Sequence, residues 1–467
     1  MGPRLLVTGG SGFVLSHVVH TWLAANPGGS CVVFDKMAAP RPRQQAPPDA
    51  ASRFFAPLLA TRRLELFTGD VGDAASWKRL EATHGASFSH IVAGAAITPT
   101  PPEEAALGLE VARVNFLGVL RAFEFARRCC PRLVRFLLVS SDGVLSAPPI
   151  GGAEYSSPDT PAVASYPLSK LAAEAQVRHW RGIFPEVCSV AVRFSDVYGA
   201  MDRDTGTRNR HNAPYWVATR AVRGEPLLIE AASLREVGWD YIDAPSAARG
   251  VVALLDAASP PRRFMYELAL GRCVPHGELV ASLVGEAFTD ATDEAALLEQ
   301  FRSRFGSRVE LLPPGGGGEA AKAGYVVRTL APDHWLRTRR MCVEAMREEF
   351  GFEATPLPLA MREYLAWLKE EAAAEATPPV NPPQSANLPL SAASPSPSST
   401  PPPPQEGSLP VGQGSAVQGG CAGLVVAVTG GASGIGRGAS SHISPPSPPR
   451  LAGGLAGVSR AHFRARA

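Results

Sequence analysis

Short, almost wholly apolar runs alternate with longer segments of helical periodicity through the first part of the chain. The short runs are typical of strands buried on both faces, and the longer segments are typical of helices with one apolar face. This alternation predicts an α/β fold in which helices cover both faces of a parallel sheet. The predicted strands are Leu5–Val7, Val32–Phe34, Leu64–Phe67, His90–Val92, Phe136–Val139 and Val187–Val192; the predicted helices between them are Ser16–Ala25, Val111–Arg128 and Leu168–Trp180.

The pattern becomes less regular after Gly199. The segments Arg208–Tyr215 and Pro313–Gly318 read as loops among short helices and strands. The last predicted element is a helix, Leu359–Glu371, that follows Pro358. We therefore expect a smaller region here that covers one end of the sheet.

The composition changes abruptly near Thr377. The stretch Thr377–Gly420 is rich in Pro, Ser and Gly, and Glu406 is its only charged residue. Such a segment buries too little apolar surface to offset its chain entropy, so we expect a disordered linker. The run Pro401–Pro404 leaves open a second interpretation, a polyproline stretch that binds a partner.

The overall composition describes an ordinary globular protein. The 467 residues carry a net charge of +2, which gives no indication of binding to nucleic acid or to an anionic membrane. The 7 cysteines follow neither a metal-ligand nor a disulfide spacing, so we expect no metal site and a reducing, cytoplasmic location. No apolar run is long enough for a membrane-spanning helix, and the strand pattern from Arg4 leaves no room for a leader.

A glycine-rich turn, Thr8–Phe13, joins the first predicted strand to the first helix. Gly9 and Gly12 allow a tight turn and a close approach of backbone to a pyrophosphate, while the helix N-terminus at Phe13 supplies free N–H groups. Asp35 ends the second strand, where a carboxylate accepts hydrogen bonds from a ribose 2′-hydroxyl and repels a 2′-phosphate. The pattern predicts a Rossmann-type, doubly wound sheet that binds NAD in preference to NADP.

Two further features concern the same cofactor site. Asp70 and Val71 follow the third strand, and Asp70 is a candidate for contacting the adenine ring. Leu15 stands where a third glycine is expected, and a bulky side chain there is predicted to hinder helix–strand packing or to crowd the pyrophosphate.

Tyr166 and Lys170 begin another predicted helix and are four residues apart, so they project from one face. An ammonium group near the phenol favours the phenolate, which makes Tyr166 a candidate acid/base and Lys170 its partner at the nicotinamide ribose. Ser140 and Ser141 end the strand Phe136–Val139 and therefore lie at the carboxyl edge of the sheet, where sites in such folds form.

Together these motifs resemble the extended short-chain dehydrogenase/reductase family, which includes nucleotide-sugar epimerases and dehydratases. By matching positions, the resemblance implies that Ser141 orients a substrate hydroxyl and that Tyr166 is the acid/base. It also implies a cofactor pocket lined by Gly94, Ala95, Asn115 and Phe194. The resemblance runs in order from about Pro3 to Leu368 and includes Thr8–Phe13, Asp35, Asp70, Ala95-Ala96, Val114-Asn115, Gly118, Ser140-Ser141, Tyr166, Lys170, Arg193 and Val197–Gly199.

We expect the chain to be divided into three parts. Residues 1–198 form an NAD-binding Rossmann domain, which a returning segment near 239–262 joins. Residues 199–375 form the substrate-binding region, and residues 376–467 form a disordered tail. We also expect a small-molecule substrate, and the family leaves a homodimer open.

The chain departs from the family where substrate is bound. Trp239 stands where members acting on nucleotide sugars usually carry an arginine that grips the diphosphate, and Pro245-Ser246 replace two acids. The loss of an anion clamp argues against a nucleotide diphosphate, although Arg208, Arg210 or Arg235 could substitute. The usual tyrosine after the Ser140-Ser141 pair is replaced by Leu145.

A second glycine motif, Thr429–Gly436, follows the apolar run Leu424–Val428. It resembles the turn of the single-domain branch of the same superfamily. The helix that should follow is stopped by Ser444–Pro446 and Pro448-Pro449, so one strand and one turn remain, too little to bury a core. We expect no cofactor binding there.

The sequence favours an NAD-dependent oxidoreductase or epimerase that acts on a secondary alcohol of a sugar or a sugar-derived substrate. The alternative is a catalytically inactive NAD-binding sensor or scaffold, suggested by Leu15 and by the truncated motif. Tyr166 and Lys170 are both present, which favours the enzyme.

Overall fold

The computed structural model describes residues 2–36, 50–100, 103–146, 164–203, 208, 211–230, 233–236, 238–306, 309–312, 325–327 and 340–376. All of them belong to one compact unit, Met1–Ser385. Four predicted segments lie outside the described residues and stay predictions: Pro313–Gly318, Thr377–Gly420, Pro401–Pro404 and Thr429–Gly436. Arg210 also lies outside the described residues, and the boundaries of the three parts of the chain stay predictions.

A seven-stranded parallel sheet forms the centre of the molecule. Its strands lie in the order β11 (Met265–Leu268), β6 (Ser189–Phe194), β5 (Arg135–Ser141), β4 (His90–Ala93), β1 (Arg4–Thr8), β2 (Ser30–Asp35) and β3 (Leu64–Thr68). The strand order reverses at β1, which pairs with β2 on one side and with β4 on the other. The carboxyl ends of strands beside such a reversal leave a crevice for a ligand. The fold is therefore the predicted Rossmann-type, doubly wound sheet. The strands are β1 Arg4–Thr8, β2 Ser30–Asp35, β3 Leu64–Thr68, β4 His90–Ala93, β5 Arg135–Ser141, β6 Ser189–Phe194, β7 Asp196–Tyr198, β8 Leu227–Glu230, β9 Gly238–Trp239, β10 Tyr241–Asp243, β11 Met265–Leu268, β12 Val274–Pro275, β13 Val309–Leu312 and β14 Tyr325–Val327.

Helices cover both faces of this sheet because alternate strand side chains point to opposite sides. Leu5 and Val7 of β1 join the apolar cluster that includes Val18 and Val251, whereas Leu6 joins the cluster that includes Phe123. The helices are α1 Phe13–Ala25, α2 Ala50–Ala60, α3 Ala74–His84, α4 Glu104–Val111, α5 Gly118–Cys129, α6 Ser165–Ile183, α7 Ala213–Arg223, α8 Ser233–Glu236, α9 Ala244–Leu255, α10 His276–Val284, α11 Glu294–Phe305, α12 Glu344–Phe350 and α13 Leu357–Ala376.

A third apolar cluster belongs to the later part of the chain. It is built from α7, α10, α11 and α13 around β8, with Leu227, Leu279 and Phe301 fully buried. The strands β13-β8-β14 form a small parallel sheet there. Helix α9 packs on α1, and β11 extends the main sheet beside β6, so the chain returns to the Rossmann core after β10.

The observed elements differ from the predicted ones mainly at their ends. Helix α1 begins at Phe13 rather than Ser16, directly after the glycine turn. The predicted helix Val111–Arg128 is interrupted by a π-helical turn, Ala112–Leu117, from which Asn115 reaches the loop after β4. Strand β6 begins at Ser189, since the backbone N–H of Val187 closes a turn onto Phe184. Among the described residues, no helix is both long and apolar enough to cross a membrane.

Candidate active site

The glycine turn has the geometry of a phosphate cradle. Gly9 adopts a φ of +77°, and a Cβ there would lie 2.6 Å from the Cα of Ala95. Glycine is therefore required at this position. In the described part of the chain no side chain caps helix α1 at Gly12, which leaves N–H groups of its first turn at the carboxyl edge of the sheet. These features fit the pyrophosphate of a dinucleotide.

Asp35 lies directly beside this turn. Its Oδ2 accepts a hydrogen bond from the backbone N–H of Ser11 at 3.1 Å, and the backbone N–H of Gly9 donates to the carbonyl of Phe34. The end of β2 is thus tied to the turn by both its backbone and its acid. This places a carboxylate next to the phosphate cradle, where a ribose 2′-hydroxyl is bound in folds of this type.

Asp70 is held in an ionic cluster. Both of its carboxylate oxygens accept hydrogen bonds from Arg113, at 3.0 and 2.7 Å, and Lys36 lies 3.0 Å away. Burial acts to raise the pKa of Asp70, but the hydrogen bonds from Arg113 and Lys36 outweigh it and hold the pKa at about 2. Val71 is buried in the core beside Gly118. An adenine contact by Asp70 stays a prediction.

Gly94 and Ala95 line the edge of the sheet after β4, and their backbone N–H groups both donate to the Thr8 hydroxyl, at 3.0 and 3.3 Å. Leu15 packs directly against this segment. A Cβ on Gly94 would lie 2.5 Å from Leu15 Cδ1, so the missing side chain of Gly94 makes room for the leucine. Leu15 therefore does not obstruct helix–strand packing as expected, because Gly94 has no side chain at this point.

Asn115 and Phe194, both placed in the cofactor pocket by the resemblance, are buried. The amide of Asn115 accepts from the backbone N–H of Ile97 and donates to the Ile97 carbonyl and to Ser169 Oγ. Asn115 therefore ties the loop after β4 to helix α6. Phe194 ends β6 opposite Ser141 in the ladder, at the same carboxyl edge.

Ser141, Tyr166 and Lys170 are brought together at this edge. Lys170 Nζ donates to the Val139 carbonyl at 2.9 Å and lies 5.9 Å from the centre of the Tyr166 ring. Both Ser141 and Tyr166 flank Gly143, since a Cβ there would meet Ser141 Oγ at 3.4 Å and Tyr166 Cε1 at 3.9 Å. A phenol, an ammonium and a hydroxyl thus share one end of β5.

Burial changes the chemistry of Lys170. Its side chain is 2% exposed, and this desolvation lowers its pKa to about 8, while the negative charge of Glu174 acts in the opposite direction. At neutral pH the group is still an ammonium. A buried cation at this place can stabilise a neighbouring phenolate more strongly than one in water.

Glu174 was not singled out from the sequence. It lies one turn after Lys170 on helix α6, accepts from the Ser140 hydroxyl, and is bound by Arg193 through two hydrogen bonds of 2.9 and 2.7 Å. This network fixes β5, β6 and α6 to one another beneath the site. The sequence offered one signal for Glu174: it follows Lys170 by four residues, which places both side chains on the same face of a helix.

Asp142 was also missed, although it follows Ser141 directly. It is 6% exposed; its Oδ1 accepts from the Ser141 hydroxyl at 3.2 Å and its Oδ2 from the Trp239 indole N–H at 3.4 Å. Trp239, noted for replacing an arginine, thus lies at the site. In place of a cation, the chain presents an indole and a carboxylate.

Two of the three arginines considered as substitute anion clamps are described. Arg235 binds Glu294 and the carbonyls of Thr289 and Thr292, on the surface of the smaller region. Arg208 lies closer to the cofactor turn, 5.0 Å from the centre of the Phe13 ring, but its charge is paired with the buried carboxylate of Asp202.

Comparisons with known proteins identify the family of the chain. Residues 5–268 match the model of the NAD dependent epimerase/dehydratase family. The match spans more than half of the chain, and the protein belongs to this family: it is an extended short-chain dehydrogenase/reductase enzyme whose cofactor is NAD. A comparison with curated proteins found no significant match.

Solved structures share its fold. The enzyme WbmF of Bordetella bronchiseptica, in complex with NADH, has a TM-score of 0.56 at 18% identity and covers 80% of this chain and 93% of its own. UDP-glucuronic acid 4-epimerase of Bacillus cereus, in complex with UDP-glucuronic acid and NAD, has a TM-score of 0.55 at 16% identity and covers 79% and 99%. The dTDP-glucose 4,6-dehydratase of Bacillus anthracis, in complex with NAD, has a TM-score of 0.54 at 15% identity and covers 80% and 98%.

Proposed function

We propose that this protein oxidises a secondary alcohol of a sugar or a sugar-derived substrate, with Tyr166 as the acid/base. The observation that carries the proposal is the position of Lys170, a buried ammonium fixed to the Val139 carbonyl and lying beside the Tyr166 ring. A phenol in this environment is suited to take a proton at neutral pH.

Each residue of the site has a separate task in this proposal. Tyr166 takes the proton of the substrate hydroxyl, and Lys170 stabilises the resulting negative charge. Ser141 accepts a hydrogen bond from a neighbouring hydroxyl of the substrate and so orients it, because its own proton is directed to Asp142 and the proton of the reacting hydroxyl goes to Tyr166. NAD, when bound, accepts the hydride from the carbon that carries the reacting hydroxyl. Gly9, Gly12, Phe13 and Asp35 would hold the cofactor. The reverse proton transfer from Tyr166 completes an epimerisation if the hydride returns to the other face.

The substrate is proposed to be uncharged near Trp239. An indole and the Asp142 carboxylate lie where a diphosphate would need cations, and Arg208 is paired with Asp202. A diphosphate next to the Asp142 carboxylate is disfavoured, because the two negative charges repel each other. This supports a sugar or sugar derivative without a nucleotide diphosphate at that position.

A screen of sugars, sugar acids and nucleotide sugars tests the proposal. The full chain is incubated with NAD and each compound, NADH absorbance is followed, and the products are examined by NMR for an inverted carbon. Net NADH indicates a dehydrogenase, whereas an inverted product without net NADH indicates an epimerase. Turnover restricted to nucleotide sugars would contradict the proposed substrate class. If the protein binds NAD but converts none of the compounds, the result would favour an inactive sensor or scaffold.

A further inference from the structure

Four charged side chains form a cluster, here called the adenosine-end cluster: Lys36, Asp70, Glu110 and Arg113. Lys36 Nζ lies 3.0 Å from Asp70 Oδ2 and 3.4 Å from Glu110 Oε1. Arg113 binds both acids, Asp70 through two hydrogen bonds and Glu110 through its Nε at 2.7 Å. A Cβ on Gly72 would lie 2.1 Å from Arg113 Nη1, so the glycine leaves room for this guanidinium.

The cluster borders the ribose end of the cofactor site. Lys36 follows Asp35 directly, and the Asp35 carboxylate lies beside the phosphate cradle. Asp70 lies just after β3, which pairs with β2, while Glu110 and Arg113 come from the end of α4 and the turn after it. Three segments distant in sequence thus place four charges around one position, near the acid that is expected to bind the ribose.

The charges of the cluster compensate one another. Hydrogen bonds from Arg113 lower the pKa of Glu110, and the pKa of Asp70 is about 2, so both acids are ionised at neutral pH. Two cations face two anions, and Asp35 adds a further negative charge nearby. A 2′-phosphate, which carries close to two negative charges, therefore meets no net positive charge here.

We propose that Glu110 is a specificity-determining residue for the cofactor: by neutralising Lys36 and Arg113, it excludes the 2′-phosphate of NADP. Lys36 follows the acid that is expected to bind the ribose, and it shares Asp70 and Glu110 with Arg113, so Glu110 cancels the positive charge that a 2′-phosphate would otherwise meet. Its loss leaves them with Asp70 alone, so that the cluster becomes net positive. This inference rests on NAD binding at the glycine turn and not on the proposed reaction.

Glu110→Gln tests the inference and keeps the shape of the side chain. Its matched control is Glu124→Gln, which breaks another Glu–Arg pair three residues apart, Glu124 with Arg127, on helix α5. Dissociation constants of NADH and NADPH are measured by fluorescence titration, with 5′-ADP and 2′,5′-ADP as minimal competitors. Thermal melting verifies that each variant is folded; Glu110 is 35% exposed and its replacement is isosteric.

We expect Glu110→Gln to tighten NADPH binding by about tenfold, with NADH binding changed less than about twofold. The gain should weaken at high salt and should disappear when Lys36→Met is added. The control should leave both constants unchanged. An unchanged NADPH constant, or equal changes for both cofactors, would overturn the inference. Failure of both cofactors to bind the unaltered chain would instead overturn NAD binding at the turn, and the inference with it.

Discussion

The indole N–H of Trp239 lies 3.4 Å from the carboxylate of Asp142, which in turn accepts the hydroxyl proton of Ser141. Two residues 97 positions apart are thereby joined at the site. The Ser141 hydroxyl is oriented by a charged acceptor, and its oxygen also accepts from the Gly143 N–H at 3.1 Å. The hydroxyl is left in position to accept, not to donate, a further hydrogen bond.

Asp142→Asn should therefore reduce kcat/KM by about tenfold, since a hydrogen bond to a charged group contributes about 1.5–3 kcal/mol. Steady-state kinetics with the substrate found by the screen measure this. The control is Asp256→Asn, which alters another indole–carboxylate pair, Trp22 with Asp256, at the opposite end of α1 from the glycine turn. An equal loss in both variants would show that Asp142 acts through stability alone.

Gly94→Ala should destabilise the fold by about 1–3 kcal/mol, because the added methyl group would overlap Leu15 in a packed core. Urea unfolding measures the change, and Gly28→Ala, whose Cβ would meet nothing within 4 Å, is the control. Adding Leu15→Ala should reduce the cost of the Gly94→Ala substitution, and the contact of the new methyl group with Val139 Cγ2 at 3.1 Å accounts for what remains. A cost no larger than that of Gly28→Ala would contradict the contact between Leu15 and Gly94.

The buried ammonium of Lys170 should make the stability of the protein depend on pH. Its pKa is lowered from an ordinary 10.5 to about 8 in the folded chain, so burial of the charge is unfavourable below pH 8 and the cost fades as pH rises from 8 to 10.5. Lys170→Met should be more stable than the unaltered protein at pH 7, by up to about 3 kcal/mol. The difference should narrow above pH 8; a constant difference in urea unfolding would contradict the lowered pKa.

The sequence predicted the parts of this site that depend on local order. The strand before Gly9, the helix that begins at Phe13 and the acid at Asp35 follow one another along the chain, so their geometry follows from one strand–helix–strand unit. Contacts between distant segments could not be read in this way. Leu15 was expected to obstruct the site, and the residue that accommodates it, Gly94, is adjacent only after β1 and β4 have paired.

Other residues were missed for the same reason, because their contacts join segments that are far apart in the sequence. Arg113 and Glu110 look like an ordinary helix-surface pair in the sequence, and only the fold brings Lys36 and Asp70 to them. Asn115 was expected at the cofactor, but whether its amide faces a ligand or the Ile97 backbone depends on the π-helical turn, which has no clear sequence signal.

The most direct test of the central claim is NADH formation by Tyr166→Phe in a single turnover with the substrate found by the screen. We expect the rate to fall by about 100- to 10,000-fold, because the acid/base is removed, while the dissociation constant of NADH stays within about twofold. Tyr266→Phe, which removes a β11 phenol that donates to Glu349 of α12, should leave the rate unchanged. A Tyr166→Phe protein that forms NADH at the rate of the unaltered protein would contradict the account.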